Sequence, residues 1–174
     1  MRQFIPLLIF TILFNSSFAQ APARPCSDPV YRQFDFWIGE WEAFATNGNK
    51  AGDSKISLIL DSCIILEEWT SSTVNKGIRY AGKSYNTYNA ATKKWQQYWV
   101  DNAGGVTEYF NGHYENKKMI VETADLKQPD GKTKIMRMTF HDLGPDKVRQ
   151  HGESSTDGGK TWKTDFDLEY RRKK

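Results

Sequence analysis

After residue 19 the chain holds no apolar run long enough to cross a bilayer, which takes about 20 consecutive apolar residues as a helix. Histidine is scarce. The three present, His113, His141 and His151, stand in no H-x-H or H-E-x-x-H pattern, and no C-x-x-C occurs, so no metal-ligand spacing is available and no metal site is expected. G-x-S-x-G, P-loop and dinucleotide fingerprints are missing as well. Gly104-Gly105 and Gly158-Gly159 read as turn glycines rather than phosphate cradles, and no cofactor is expected. The formal net charge is only +3, with basic residues scattered apart from the tail Arg171-Arg172-Lys173-Lys174, so nucleic acid is not an expected partner. From Gly39 onward no long stretch repeats with a helical period.

What is present begins with an address. Met1-Arg2-Gln3 forms a short positive head, Phe4 to Phe14 an apolar run too short to span a membrane, and Ser17-Phe18-Ala19 a small-x-small cleavage site. Residues 1–19 are therefore expected to be a signal peptide, and the protein to be exported to the periplasm or the medium. Losing Arg2 takes the net charge from +3 to +2. The remaining residues, about 155, suit one domain, read as an arm over 20–33, a barrel over 34–171 and a basic tail over 172–174. In an exported chain the two cysteines, Cys26 and Cys63, are expected to form a disulfide pinning the arm to the early sheet. Two buried thiols are the alternative. Lipid attachment at Cys26 is disfavoured by Arg24-Pro25, where small apolar residues would be needed.

Short runs of aromatic and β-branched residues alternate with turn signals every eight to twelve residues. Strands are predicted over 39–46, 54–60, 63–72, 78–88, 94–101, 105–111, 117–125, 132–141, 147–155 and 161–171. The turns are NGNKAG, DS, VNK, NAATK, DNAGG, NGHYEN, KQPDG, DLGPD and TDGGK, each with the Gly, Asn, Asp or Pro a tight reversal needs. Ten antiparallel strands with short links predict an all-β, up-and-down barrel, whose closure removes exposed edges. A short helical turn over Asp28–Ile38, with Phe34, Trp37 and Ile38 facing in, is expected to plug one end.

The last strand shows its two faces. Lys163, Asp165, Asp167, Glu169 and Arg171 alternate with Trp162, Thr164, Phe166, Leu168 and Tyr170, the period of a sheet packed on one side. Opposed residues share a face. A tight turn at Thr156–Thr161 pairs Glu153 with Thr164, His151 with Phe166 and Arg149 with Leu168. A four-residue turn at Leu143–Asp146 then sets Phe140 opposite Arg149, Met138 opposite His151 and Met136 opposite Glu153. The predicted interior is Met136, Met138, Phe140, Arg149, His151, Glu153, Phe166 and Leu168; one bulge would reverse a strand.

Ser155 to Trp162 also matches the Asp-box pattern S-x-D-x-G-x-T-W, which repeats once per blade in sialidases and other propellers. It occurs once here, in a chain too short for a propeller. Asp157 is read as a structural staple bonding its own turn, with Trp162 covering the hairpin.

Gly39-Glu40-Trp41 resembles the opening signature of lipocalins and related calycins. More widely, FDFWIGEWEAF, YNAATKKWQQYWVD and ESSTDGGKTWKTDFDLEY look like a family of exported bacterial proteins of unknown function with a lipocalin-like barrel, a likeness spanning Phe34 to Arg171. The resemblance implies that Gly39 turns the chain into the first strand, that Trp41 packs at the barrel floor and that Arg171 or Arg172 lies across its ring. It implies no catalytic residues. A more distant resemblance, to the nitrobindin-like haem barrel, rests only on a late-strand histidine, His151.

Trp95, Tyr98, Trp99, Tyr109 and Phe110 form an aromatic group suited to an apolar pocket or to core. The leading functional expectation is a barrel that binds a small hydrophobic or amphipathic ligand, with aromatics such as Trp99 as walls and Arg149 or His151 as polar anchor. Alternatives are a barrel enzyme using His151 and Glu153 for proton transfer, a haem-binding barrel, and a module that binds another envelope protein.

Overall fold

The computed structural model describes residues 24–174. The expected signal peptide, and residues 20–23 of the arm, lie outside the described residues. The strands are β1 (Gly39–Ala45), β2 (Lys50–Ile59), β3 (Ile64–Asn75), β4 (Ile78–Asn89), β5 (Lys94–Asp101), β6 (Val106–Glu115), β7 (Lys118–Glu122), β8 (Leu126–Lys127), β9 (Thr133–Asp142), β10 (Lys147–Ser155) and β11 (Lys163–Arg172). Chain neighbours pair antiparallel from β1 to β7, β7 pairs with β9, and β11 returns to β1, so ten strands close into a barrel. The two-residue β8 hangs on β9 as an extra strand.

Alternation along the strands explains the closure. Ser54 and Ile56 of β2, Trp95 and Gln97 of β5, and Met119 and Val121 of β7 are buried at every second position, as a sheet with one solvated face requires. Turns follow the predicted chemistry in outline, with three shifts. β3 runs on to Asn75, so the reversal falls at Lys76-Gly77, both at positive φ. β2 already begins at Lys50, inside the expected turn NGNKAG. Asn111 to Tyr114, expected to turn, are strand, and Asn116-Lys117 make the reversal with φ 47° and 59°. Gly112 lies inside β6 for reasons of space: a Cβ there would meet the Trp95 backbone oxygen at 2.4 Å.

The N-terminal segment has two 3-10 turns, Pro29–Arg32 and Asp35–Trp37. Asp28 caps the first by accepting the Val30 amide at 2.9 Å, and proline begins it, where a missing N–H costs nothing. Phe34 and Trp37 are fully buried, their rings stacked at 5.1 Å and packed on Phe140 at 4.9 and 4.5 Å. Cys26 and Cys63 form a disulfide, tying this segment to the β2–β3 turn. The Arg32 guanidinium reinforces the tie by donating to the Ser62 carbonyl.

At the β1–β11 closure the Arg172 guanidinium lies 4.2 Å over the Trp41 ring and donates to the Ile38 carbonyl at 3.1 Å. Trp41 Nε1 donates to the Trp37 carbonyl at 2.9 Å. Gly39, at φ 143°, leaves room for this: a Cβ would stand 2.1 Å from Arg172 Nη1. Of the two candidate arginines, Arg172 covers Trp41, and Arg171 lies over Phe44 instead.

The register of β9–β10–β11 departs from expectation. Glu153 pairs with Thr164 as predicted, but Asp165 is an extra residue in β11, so Gly152, not His151, faces Phe166. Across the β9–β10 turn the pairing is offset by one residue from expectation, with Asp142 opposite Val148, so Phe140 faces Gln150 and Met138 faces Gly152. Arg149, His151 and Glu153 therefore stand on the outer face, and Val148, Gln150 and Gly152 take the inner one. Phe166, Leu168 and Tyr170 are inward as expected. The bulge turns Thr164 and Trp162 outward, where Thr164 Oγ1 meets His151 Nε2 at 2.9 Å and Arg137 covers the Trp162 ring at 3.8 Å.

Candidate functional site

Inward side chains of β2–β6 and β9–β11 line a cavity of about 400 Å3 in the barrel. Its walls are apolar and aromatic: Trp69, Trp99, Tyr109, Met136, Met138, Phe166 and Leu168. Its polar groups include Glu67, Gln97, Gln150 and Tyr170, which are buried, and Tyr80 and Asp101, which are more exposed. Predominantly apolar walls with a few convergent polar groups characterise small-molecule pockets, which run from about 300 to 1,000 Å3.

Glycines on neighbouring strands make room for the rings. A Cβ on Gly152 would stand 2.4 Å from the Phe166 ring, and one on Gly82 would stand 2.3 Å from the Trp99 ring. Gly52 gives Trp69 the same clearance on β2. Each ring thus lies over the backbone of the adjacent strand, which leaves the centre of the barrel open.

Beneath the rings a hydrogen-bonded chain crosses four strands. Gln97 Nε2 donates to Asn86 Oδ1 at 2.8 Å, Asn86 Nδ2 to Ser84 Oγ at 3.0 Å, and Ser84 Oγ to Glu67 Oε2 at 2.9 Å. Ser54 Oγ donates to Glu67 Oε1 at 3.0 Å. The Tyr170 hydroxyl lies 3.5 Å from that same oxygen and donates to Gln150 Oε1 at 2.5 Å. Glu67 is 2% exposed, and no lysine, arginine or histidine pairs with it among the described residues. Burial pushes its carboxyl up to about 7, against the lowering effect of the Ser84, Ser54 and Tyr170 hydroxyls. Burial also raises the Tyr170 phenol well above its ordinary value, with the Glu67 charge adding to it.

At the mouth, Asp101 Oδ2 accepts from the Tyr80 hydroxyl at 3.0 Å and from Trp99 Nε1 at 3.2 Å. Its Oδ1 accepts the amides of Ala103 and Gly105, both at 2.9 Å. Burial opposes ionisation here, but these bonds, led by Gly105, outweigh it and hold the carboxyl below its ordinary value. Burial lifts the Tyr109 phenol to about 12, with Asp165 contributing. Asp165 itself pairs with Lys134 at 3.7 Å and accepts from Ser154.

Of the residues expected to bind a ligand, Trp99, Met136, Met138 and Phe166 line the cavity, as does Leu168 of the predicted interior. Phe140 is fully buried against Phe34 and Trp37 and lines no part of it. Arg149, His151 and Glu153 form an external polar network instead. Arg149 grips Asp167 through two bonds of 2.7 Å, Arg137 donates to Glu153 at 2.9 and 3.2 Å, and His151 Nδ1 lies 3.7 Å from Glu153. An anchor, acid–base pair or haem ligand drawn from these three has no access to the cavity. The aromatic group on β5 and β6 divides: Trp99 and Tyr109 line the cavity, Trp95 joins the core, and Tyr98 and Phe110 meet edge-on outside at 5.8 Å.

The Asp-box turn is bonded within itself. Asp157 accepts the amides of Lys160 and Thr161, the Thr161 hydroxyl and the Ser155 hydroxyl, while Trp162 Nε1 donates to the Gly159 carbonyl. These bonds, first those of Thr161, hold its carboxyl far below the ordinary range.

Sequence reasoning missed Glu67, Trp69, Gln97, Gln150 and Tyr170 as cavity residues. A signal was present for three of them: Tyr170 stands in the inward row of β11 with Phe166 and Leu168, and Glu67 and Trp69 share the alternate phase of Ile65 in β3, which marks the inner face. No protein-family model matches the chain, and no curated protein is significantly similar to it.

Proposed function

We propose that this is an exported, lipocalin-like barrel whose interior holds a small hydrophobic or amphipathic molecule. The observation that carries the reading is the cavity of about 400 Å3, walled by Trp69, Trp99, Met138 and Leu168 and floored by a hydrogen-bonded polar chain. A barrel of this strand number can fill its centre with side chains; here the seating of rings over Gly82 and Gly152 keeps it open. The 3-10 segment bearing Phe34 and Trp37 serves as the plug of the opposite end, which supports a one-mouthed cup rather than a channel. The Cys26–Cys63 disulfide and the apolar stretch Phe4 to Phe14 support an oxidising, exported location, periplasmic or secreted. The lipocalin resemblance is supported by Arg172 over Trp41.

The test is titration with N-phenyl-1-naphthylamine, a neutral apolar fluorophore. Saturable one-to-one binding is expected, weakened at least about tenfold (~1.4 kcal/mol) by Leu168→Trp, which fills the cavity from its wall. No saturable binding, or binding indifferent to Leu168→Trp in a variant with unchanged circular dichroism, would overturn the reading.

A further inference from the structure

We infer that the cavity selects an amphipathic cation: a molecule with an apolar or aromatic body and one ammonium group, the ammonium directed at Glu67. This rests on the ligand-binding reading above and names the chemical class of the ligand.

The inference begins with a mismatch of charge. The protein as a whole is slightly basic, with a formal net charge of +3. Its cavity is the reverse: among the described residues the lining includes two carboxylates, Glu67 and Asp101, and no lysine, arginine or histidine. An anionic ligand would thus enter a space with two acids and no free partner, where like charges repel strongly in low dielectric.

The walls carry the same preference. Trp69, Trp99, Tyr80 and Tyr109 line the cavity, and the negative face of an aromatic ring attracts a cation, tryptophan most of all. Asp101 accepts from both Tyr80 and Trp99, so its charge sits at the edge of those two rings. A ligand amine entering at the mouth meets Asp101 first and then the indole surfaces, with Glu67 on the floor.

Glu67 completes the site because it lacks a countercharge. Three hydroxyls, those of Ser54, Ser84 and Tyr170, surround its two oxygens, which is adequate for a neutral acid and incomplete for an anion. The Tyr170 proton is committed at 2.5 Å to Gln150, so Tyr170 does little for the 3.5 Å contact with Glu67. An ammonium group would supply the missing charge, and Gln97 and Gln150, on either side of Glu67 in the lining, offer amide oxygens to its other protons. The titratable groups facing Glu67 from the packed strands are Tyr170 of β11, Tyr80 of β4, Asp101 of β5 and Tyr109 of β6. None is a cation in either protonation state, so the preference for positive charge does not reverse with pH.

The experiment compares three probes of one shape, 4-phenylbutylammonium, 4-phenylbutanol and 4-phenylbutyrate, by calorimetry against the full-length mature protein at about pH 8, above the Glu67 value of about 7. The amine is expected to bind at least about tenfold tighter than the alcohol, and the carboxylate weakest of the three. Glu67→Gln, which keeps shape and hydrogen bonding, should bring the amine to within about threefold of the alcohol. Alcohol or carboxylate binding as tightly as the amine would overturn the cation inference and leave the ligand-binding reading standing. A preference for the amine that survives Glu67→Gln would overturn the role of Glu67. Absence of binding by all three, in protein that binds N-phenyl-1-naphthylamine saturably, would overturn the cation inference alone; absence of that binding as well would overturn both readings. The wild-type comparison needs no variant, so it decides the charge preference even if Glu67→Gln folds poorly.

Discussion

Glu67 Oε1 and the Tyr170 hydroxyl lie 3.5 Å apart on facing walls of the barrel, one residue from β3 and the other from β11, separated by 103 positions in sequence. Both are fully enclosed, and a carboxyl held there prefers to keep its proton. The pH dependence follows in sign. Glu67 rises from 4.5 to about 7 on folding, so its proton stabilises the fold fully below about 4.5, and that stabilisation is lost as pH rises toward 7. Glu67→Gln should therefore gain on wild type by about 3 kcal/mol between about pH 4 and pH 8. Urea denaturation of both proteins across that range checks it. A difference that is flat with pH would show that Glu67 titrates normally.

Gly152 has its close neighbour in a single side chain, the Phe166 ring. Gly152→Ala should cost about 1–3 kcal/mol by overpacking. In a Phe166→Leu background the same substitution should cost less than about 1 kcal/mol, a non-additivity that a double-mutant cycle measures directly. Equal costs in both backgrounds would mean that the ring is not seated over the glycine.

Arg172 closes the barrel seam through the Trp41 ring and the Ile38 and Pro145 carbonyls. Arg172→Ala should lower stability by about 1–3 kcal/mol, combining the cation–π contact with lost hydrogen bonds. Arg172→Lys should recover only part of it, since an ammonium cannot lie flat on the indole while reaching two carbonyls. Chemical denaturation of the three proteins gives the comparison.

The disulfide closes a separation of 37 residues between the N-terminal segment and the β2–β3 turn. Replacing Cys26 and Cys63 with serine should cost about 3–4 kcal/mol, chiefly through the freer unfolded chain. Thermal melts under oxidising and reducing conditions should reproduce the same difference in wild type and show none in the variant.

Most of the barrel was legible because each strand is short, aromatic or β-branched, and bounded by Gly, Asn or Asp. The β9–β11 region shows the limit. Asp165 adds a residue to β11, and the β9–β10 pairing is offset by one residue at its turn. Each slip reverses the face of everything beyond it. Together they cancel, so Met136 and Met138 come out on the inner face as expected, while Arg149, His151 and Glu153, lying between the two slips, come out reversed. Neither a bulge nor a one-residue offset at a turn has a compositional mark in this stretch. Glu67 was obscured differently. It stands beside Glu68, and the pair reads as a solvated acidic edge, yet Glu68 points outward to Lys83 at 2.7 Å and Glu67 points into the barrel. Only the alternation with Ile65 and Trp69 separates them.

The proposed function requires the barrel interior, not its outer polar network, to receive a small molecule. A crystal structure of the protein soaked with 4-(4-bromophenyl)butylammonium tests it most directly, because bromine marks its own position by anomalous scattering. The account predicts bromine within the ring of Trp69, Trp99 and Met138, with the ammonium in hydrogen-bond reach of Glu67. Bromine beside Arg149 and His151 on the outer face, with an empty interior, would contradict it.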